Sequence, residues 1–289
     1  VQHQSDGERR VKCKYGKVYL IGAGPGDPEL LTLKAVRTLQ RADVVLVDDL
    51  VDAGVLDFVR PDARVVAVGK RGGCKSTPQT FIERLTIAEA HAGRTVARLK
   101  GGDPFIFGRG GEECQVLRTA GIEVEVINGI TAGLAAPTSL GIPLTHRDLC
   151  HGAILVTGHT GDEAASAPDW RALVAVGMPL VIYMGMTRAA AIRANLLAAG
   201  MRHDMPVAVI KNATRVDQVA RLTTLARLSH DLRRFNLTSP AIIVVGETVR
   251  LAHICAHSTD IAPASVADGS PALKAVRSSP AAPRIHSRQ

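Results

Sequence analysis

The sequence predicts a two-domain α/β protein in which each domain is a mostly parallel or mixed sheet with flanking helices. Three observations carry this. Short apolar runs alternate with segments of helical spacing along most of the chain. The runs are continuous rather than alternating, as expected for strands buried on both faces. Loops rich in Gly and Asp follow the ends of several runs, which is where open α/β sheets receive ligands.

The elements follow in order. Residues 1–16 are polar and read as an N-terminal arm. A β-rich run at 17–21 stops at Gly22, and Leu31, Ala35 and Leu39 then share one face of a helix over 30–39. The run at 44–47 is long enough for a buried strand and ends at Asp48 and Asp49. A third strand, 65–68, ends at Gly69. Phe81, Leu85 and Ala88 place a helix over 80–92. A strand at 95–99 ends at Gly101 and Gly102, a helix over 112–120 stops at Gly121, and a strand at 124–127 ends at Asn128 and Gly129. These elements make an N-terminal domain of 17–145. A second domain, 146–250, has strands at 153–157, 179–183, 206–210 and 241–245. Its helices are expected at 189–199 and 218–227, with 222–233 ambiguous between periods. Residues 251–289, rich in Ala, Ser and Pro, read as a disordered tail.

Composition narrows the function. The chain has 289 residues, 46% hydrophobic and 21% charged, which suits one large domain or two modest ones. Net charge is +8, but residues 1–17 hold five cations against two acids and 251–289 hold four against two. The core is therefore weakly charged, and with few aromatic rings there is little for nucleic acid to grip or stack on. No apolar run reaches 18 residues and the start lacks an apolar signal core, so neither a membrane span nor secretion is expected; the expected location is cytoplasmic. Five cysteines without a CxxC pair argue against a disulfide scaffold or a structural zinc, and no metal is expected.

The turn Gly22-Ala23-Gly24-Pro25-Gly26-Asp27 invites a dinucleotide reading, and Asp48 lies about 20 residues on, where a ribose-binding acid would sit. The spacing fails. The third small residue of that fingerprint falls at Asp27, and Pro25 removes a backbone donor. Asp27 would cap the following helix and repel a pyrophosphate there.

A longer set of motifs does match a known family. In order they are 18–28 (VYLIGAGPGDP), Asp48 with Leu50-Val51, and Val68-Gly69-Lys70-Arg71. Then come 98–113 (RLKGGDPFIFGRGGEE), Gly129-Ile130-Thr131-Ala132, 141–148 (GIPLTHRD) and Tyr183-Met184-Gly185. With these the chain closely resembles the uroporphyrinogen-III C-methyltransferases, including the methylase module of sirohaem synthases. The resemblance spans about 18–250.

It implies the tetrapyrrole methylase fold, with S-adenosylmethionine bound between the two domains, and a homodimer. It also implies methylation of uroporphyrinogen III at C2 and C7 to give precorrin-2. A later precorrin as acceptor is the nearest alternative, and a nucleotide-binding oxidoreductase or a non-catalytic binding protein the more distant ones. Carried over by motif, Pro25, Gly101, Gly102, Asp103, Ile106, Thr131, Ala132, Met184 and Ala213 would contact the cofactor. Asp48 and Lys70 would be catalytic, as proton acceptor and donor, although the residues themselves leave Asp48 open between a site acid and a helix cap. The substrate carries eight carboxylates, so Arg71, Arg109, His146 and Arg147 are the candidate cations, with Lys70 open between this role and proton donation. Glu112 and Glu113 are expected to cap their helix. Two positions depart from the family pattern: its Tyr before Asp48 is Val47, and its frequent Pro before Gly129 is Asn128.

Overall fold

The apolar run that opens the folded part of the chain becomes β1 (Val18–Gly22), and in a computed structural model describing residues 15–69, 77–158 and 167–252 it lies inside a five-stranded sheet. Helix α1 (Leu33–Leu39) follows, started by Thr32, whose hydroxyl accepts from the Ala35 amide. Next come β2 (Val44–Val47), β3 (Arg64–Ala67), α2 (Gln79–His91), β4 (Val96–Lys100), α3 (Gly110–Thr119) and β5 (Val124–Ile127). The strand order is β3-β2-β4-β1-β5, and every pairing is parallel. Each return therefore needs a crossover, and both faces of the sheet are covered.

Side-chain alternation divides the first sheet into two apolar layers. Val18, Leu20, Val44, Leu46 and Val96 pack with Ile82 of α2 and Leu117 of α3. Ile21, Val45, Val47, Ala97 and Leu99 pack with Ala35 and Leu39 of α1 on the other side. The neighbours β1 and β4 lead to β2 and β5, which lie in opposite directions across the sheet. That makes the carboxyl ends of β1 and β4 a topological switch point.

Helix α4 (Ala132–Ser139) comes next and lays Ala136 against the second sheet, with Leu140 and Ile142 of the following turn. That sheet is built from β6 (Ile154–Thr157), β7 (Leu180–Tyr183), β8 (Pro206–Lys211), β9 (Val219–Thr224) and β10 (Ala241–Val245), with helices α5 (Trp170–Ala175), α6 (Ala189–Ala198) and α7 (Leu228–Arg234). Its order is β6-β7-β10-β8-β9. Only β6 and β7 run parallel; the other pairings are antiparallel.

The helix expected over 218–227 is instead β9. Its residues alternate, with Ala220 and Leu222 in the apolar cluster on one face and Thr223 bonded to Asp231 of α7 on the other, and the strand hydrogen-bonds along the whole of β8. Unsatisfied donors on β8 outweighed a weak helical spacing. The ambiguous stretch splits in two: its first residues finish β9 and the remainder starts α7. The expected arm and tail fall almost wholly outside the described residues, as do Lys70 and Arg71. No helix among the described residues is long and apolar enough to cross a membrane.

Candidate functional site

The loops singled out in the sequence converge at the carboxyl edge of the first sheet. Gly24, after β1, and Gly102, after β4, bridge to one another. The Gly102 amide donates to the Gly24 carbonyl at 2.7 Å and the reciprocal bond is 3.2 Å. Both glycines have left-handed φ, +75° and +66°, which a side chain would strain. Gly22 and Gly129 close in from either side: a Cβ on Gly129 would lie 2.2 Å from the Gly102 carbonyl oxygen. Three loops are thus pressed together with bare backbone at the contact, and Gly101 and Gly102 remain partly exposed.

Asp103 is buried and ties these loops together. One carboxylate oxygen accepts from the Phe105 amide at 2.8 Å. The other accepts from the Gly129 amide at 3.1 Å and from the Asn128 side chain at 3.4 Å. Asn128 thereby holds the loop through a side-chain bond. Asp27 caps the turn Pro28–Leu30 by accepting from the Glu29 amide, as its position predicts.

The second sheet meets this edge at two places. The Tyr183 hydroxyl, at the end of β7, bonds Thr131 Oγ1 at 2.8 Å and accepts from the Gly133 amide at 2.8 Å. Burial raises the Tyr183 phenol above its ordinary range, aided by the charge of Asp103, while these two hydrogen bonds act the other way. The Tyr183 ring also lies 4.7 Å from that of Phe107. At the second place, the Asp27 amide donates to Thr214 Oγ1 at 3.0 Å and Gly26 is pressed against Ala213. Ile106, Ala132, Tyr183 and Ala213 belong to one apolar cluster, and Met184 beside Tyr183 is half exposed with a left-handed φ of 52°. Pro25 is partly buried in the Gly-rich turn.

Asp48 stands at the end of β2, one step beyond the Val47–Leu99 pair, with its amide on the Leu99 carbonyl. Alternation puts Asp48, Arg98 and Lys100 on the same face of the sheet, toward α2 and α3. Arg98 Nη2 donates to Asp48 Oδ2 at 3.0 Å, and Lys100 Nζ lies 3.9 Å from the same oxygen. Lys100 in turn donates to Glu113 Oε1 at 2.6 Å, and Gln79 donates to that oxygen at 3.0 Å. Arg98, Lys100 and Glu113 are all buried, while the Asp48 side chain is 33% exposed. Glu113 is therefore not a helix cap: it turns into the core to meet two cations. Only Glu112 stays at the surface, where it pairs with Arg109.

The remaining candidate cations are not drawn into this network. Arg109 is exposed and in left-handed backbone. His146 accepts from the Asp148 amide through Nδ1 within its own turn, and Arg147 is exposed. Sequence reading passed over Arg98 and Lys100. Their signal was available: two cations at alternate positions of a strand with both faces covered demand buried acids. Among the described residues no group of three or more His, Cys, Asp or Glu side chains could hold a metal ion.

The model for the family described as "Tetrapyrrole (Corrin/Porphyrin) Methylases" matches residues 17–229. The chain belongs to the tetrapyrrole methylase family. Among its relatives, the uroporphyrinogen-III C-methyltransferase of Pseudomonas aeruginosa is 58% identical over 235 residues, covering 81% of this chain and 95% of that protein. The structure of the uroporphyrin-III C-methyltransferase of Thermus thermophilus complexed with S-adenyl homocysteine is 41% identical, with a TM-score of 0.70, over 82% of this chain and all of that one. A cobalt precorrin-4 methyltransferase of the cobalamin route is 29% identical, with a TM-score of 0.71, over 81% of this chain and 95% of its own. This tetrapyrrole methylase therefore has the two-domain α/β architecture that the motifs implied.

Proposed function

We propose that the chain is a uroporphyrinogen-III C-methyltransferase that uses S-adenosylmethionine to methylate C2 and C7, giving precorrin-2 for sirohaem or cobalamin synthesis. The single observation that carries the reading is 58% identity across nearly the whole of the Pseudomonas aeruginosa enzyme. The 29% identity to the precorrin-4 enzyme makes a later precorrin the weaker reading.

The residues at the edge of the first sheet fit the cofactor chemically. Gly101 and Gly102 offer bare backbone, Asp103 has lone pairs left for hydroxyl or ammonium donors, and Ile106, Ala132, Ala213 and Met184 supply apolar wall. Pro25 and Thr131 border the same loops. When bound, S-adenosylmethionine supplies a methyl group already activated by a positive sulfur, which a nucleophilic pyrrole carbon takes directly.

The chain's own residues do the rest. Methylation leaves positive charge on the tetrapyrrole, and the half-exposed Asp48 carboxylate stabilises it and accepts the proton whose loss restores the double bonds. Arg98 holds that carboxylate at one oxygen. Lys70, outside the described residues, is the proton donor in this reading. Arg71, Arg109, His146 and Arg147 receive substrate carboxylates, each charge-assisted bond contributing about 1.5–3 kcal/mol before screening. The reading extends to a homodimer in the cytoplasm.

The test is anaerobic incubation with uroporphyrinogen III and methyl-labelled S-adenosylmethionine, followed by mass analysis. Two labelled methyl groups at C2 and C7 are expected. Cofactor binding without methylation of this substrate would move the assignment to another acceptor.

A further inference from the structure

Four ionisable groups meet behind the carboxyl edge of the first sheet: Asp48 on the β2 loop, Arg98 and Lys100 on β4, and Glu113 on α3. As charges they balance, two against two. Lys100 Nζ sits between the acids, 2.6 Å from Glu113 Oε1 and 3.9 Å from Asp48 Oδ2. Arg98 also bridges them, with Nη2 at 3.0 Å from Asp48 Oδ2 and Nε at 3.7 Å from Glu113 Oε2. Only Asp48 reaches solvent; the other three side chains are at most 5% exposed.

This is a poor way to stabilise a fold. Buried ion pairs are often no better than apolar side chains of the same volume. Here Arg98 Nε is additionally buried without a hydrogen-bond partner, a cost that asks for a reason. A carboxylate that must be ionised, fixed in direction and still open on one side supplies one. Two cations directly behind Asp48 would over-neutralise its charge. Glu113 removes the excess, and Gln79 of α2 fixes Glu113 in turn.

We infer that Glu113 and Lys100 are positioning residues for Asp48, setting the direction and effective charge of its carboxylate from behind the sheet. This rests on the functional reading above. Neither residue touches substrate; each acts through the strand end and through Arg98. Among the described residues, the charged groups facing Asp48 are Arg98 and Lys100 from β4 and, behind them, Glu113 from α3. On its own loop Asp49 is turned to Gly69, and Asp52 is paired with Arg215 at 3.2 Å. Removing Glu113 leaves a net positive charge behind Asp48. Removing Lys100 leaves a net negative one.

The experiment uses the full chain and the variants Glu113→Gln and Lys100→Met, with the paired variant Lys100→Met/Glu113→Leu, which keeps the buried charge balanced should a single variant fold poorly. Methylation of uroporphyrinogen III is followed against pH, and S-adenosylmethionine binding is measured separately by calorimetry. The single variants are expected to lose about 10²-fold in kcat, the scale of a misplaced reacting group, with cofactor affinity and KM little changed. The acid limb of kcat/KM is expected to move to lower pH in Glu113→Gln and to higher pH in Lys100→Met. A merely structural role produces no such opposed shifts. The paired variant is expected to fold, bind cofactor and remain slow. Wild-type rates in the variants, or limbs that move together or stay put, would overturn the inference while leaving the functional reading intact. A paired variant with full kcat would also overturn it. A wild-type chain that binds cofactor but transfers no methyl to this substrate overturns both.

Discussion

The two sheets have five strands each and use them differently. The first is wholly parallel, so all five strands end at one edge, and the loops after β1, β2, β4 and β5 carry its described candidate groups there. The second is mostly antiparallel, so its ends alternate. It sends Tyr183 and Met184 from β7 and Ala213 from the β8–β9 turn, an apolar wall and a hydroxyl latch. Strand direction thus divides the labour: the parallel sheet gathers charge, and the mixed sheet closes over it.

The largest expected effect comes from Asp48. If the first sheet supplies the chemistry, Asp48→Asn lowers kcat by about 10²–10⁴-fold, the usual range for a positioned acid or base, with S-adenosylmethionine binding unchanged in calorimetry. Lost cofactor binding would erase the division. In the second sheet, Leu196 of α6 is fully buried among Ile182, Val209 and Ile243. Leu196→Ala is expected to cost about 2–5 kcal/mol in denaturant unfolding while the folded enzyme keeps its kcat. The latch between the sheets is next. Tyr183→Phe strands Thr131 and the Gly133 amide, a loss of about 1–3 kcal/mol expected in cofactor affinity rather than in kcat at saturation.

The smallest effect contrasts the two edges of the first sheet. At its amino edge Glu89 of α2 pairs with Arg64 and Arg94. Burial alone would raise the Glu89 carboxyl, but the two guanidinium groups outweigh this and hold it below the usual range. A depressed folded value stabilises fully above the unfolded glutamate value of about 4.3 and fades as pH falls through the folded value. Glu89→Gln should therefore cost about 1 kcal/mol near neutrality, given the exposed arginines, and the deficit should shrink in acid. Thermal unfolding against pH reads this, and kcat should not move.

Much of the first sheet was legible because continuous apolar runs ending in glycine have few alternatives. The loop residues were legible as motifs, and the structure adds what they do: Asp103 clasps two loops and Gly102 bridges to Gly24. Strand β9 was not legible. Its sequence has arginine and threonine at alternate positions, and only the open edge of β8 decides for a strand. The network behind Asp48 was missed for a similar reason. Glu113 lies one position from an exposed Glu112, and only the rotation of α3 against β4 turns one inward and leaves the other in water.

The most direct test of the division of labour is a crystal structure of the chain with S-adenosylhomocysteine and a tetrapyrrole. The account predicts the cofactor against Gly101, Gly102, Met184 and Ala213, touching both sheets, and the tetrapyrrole over Asp48. A cofactor seated instead in the cavity of about 340 Å³ lined by Asp27, Leu30, Ser139, Thr214 and Val216, without contact to Gly101, Gly102 or Met184, would contradict it.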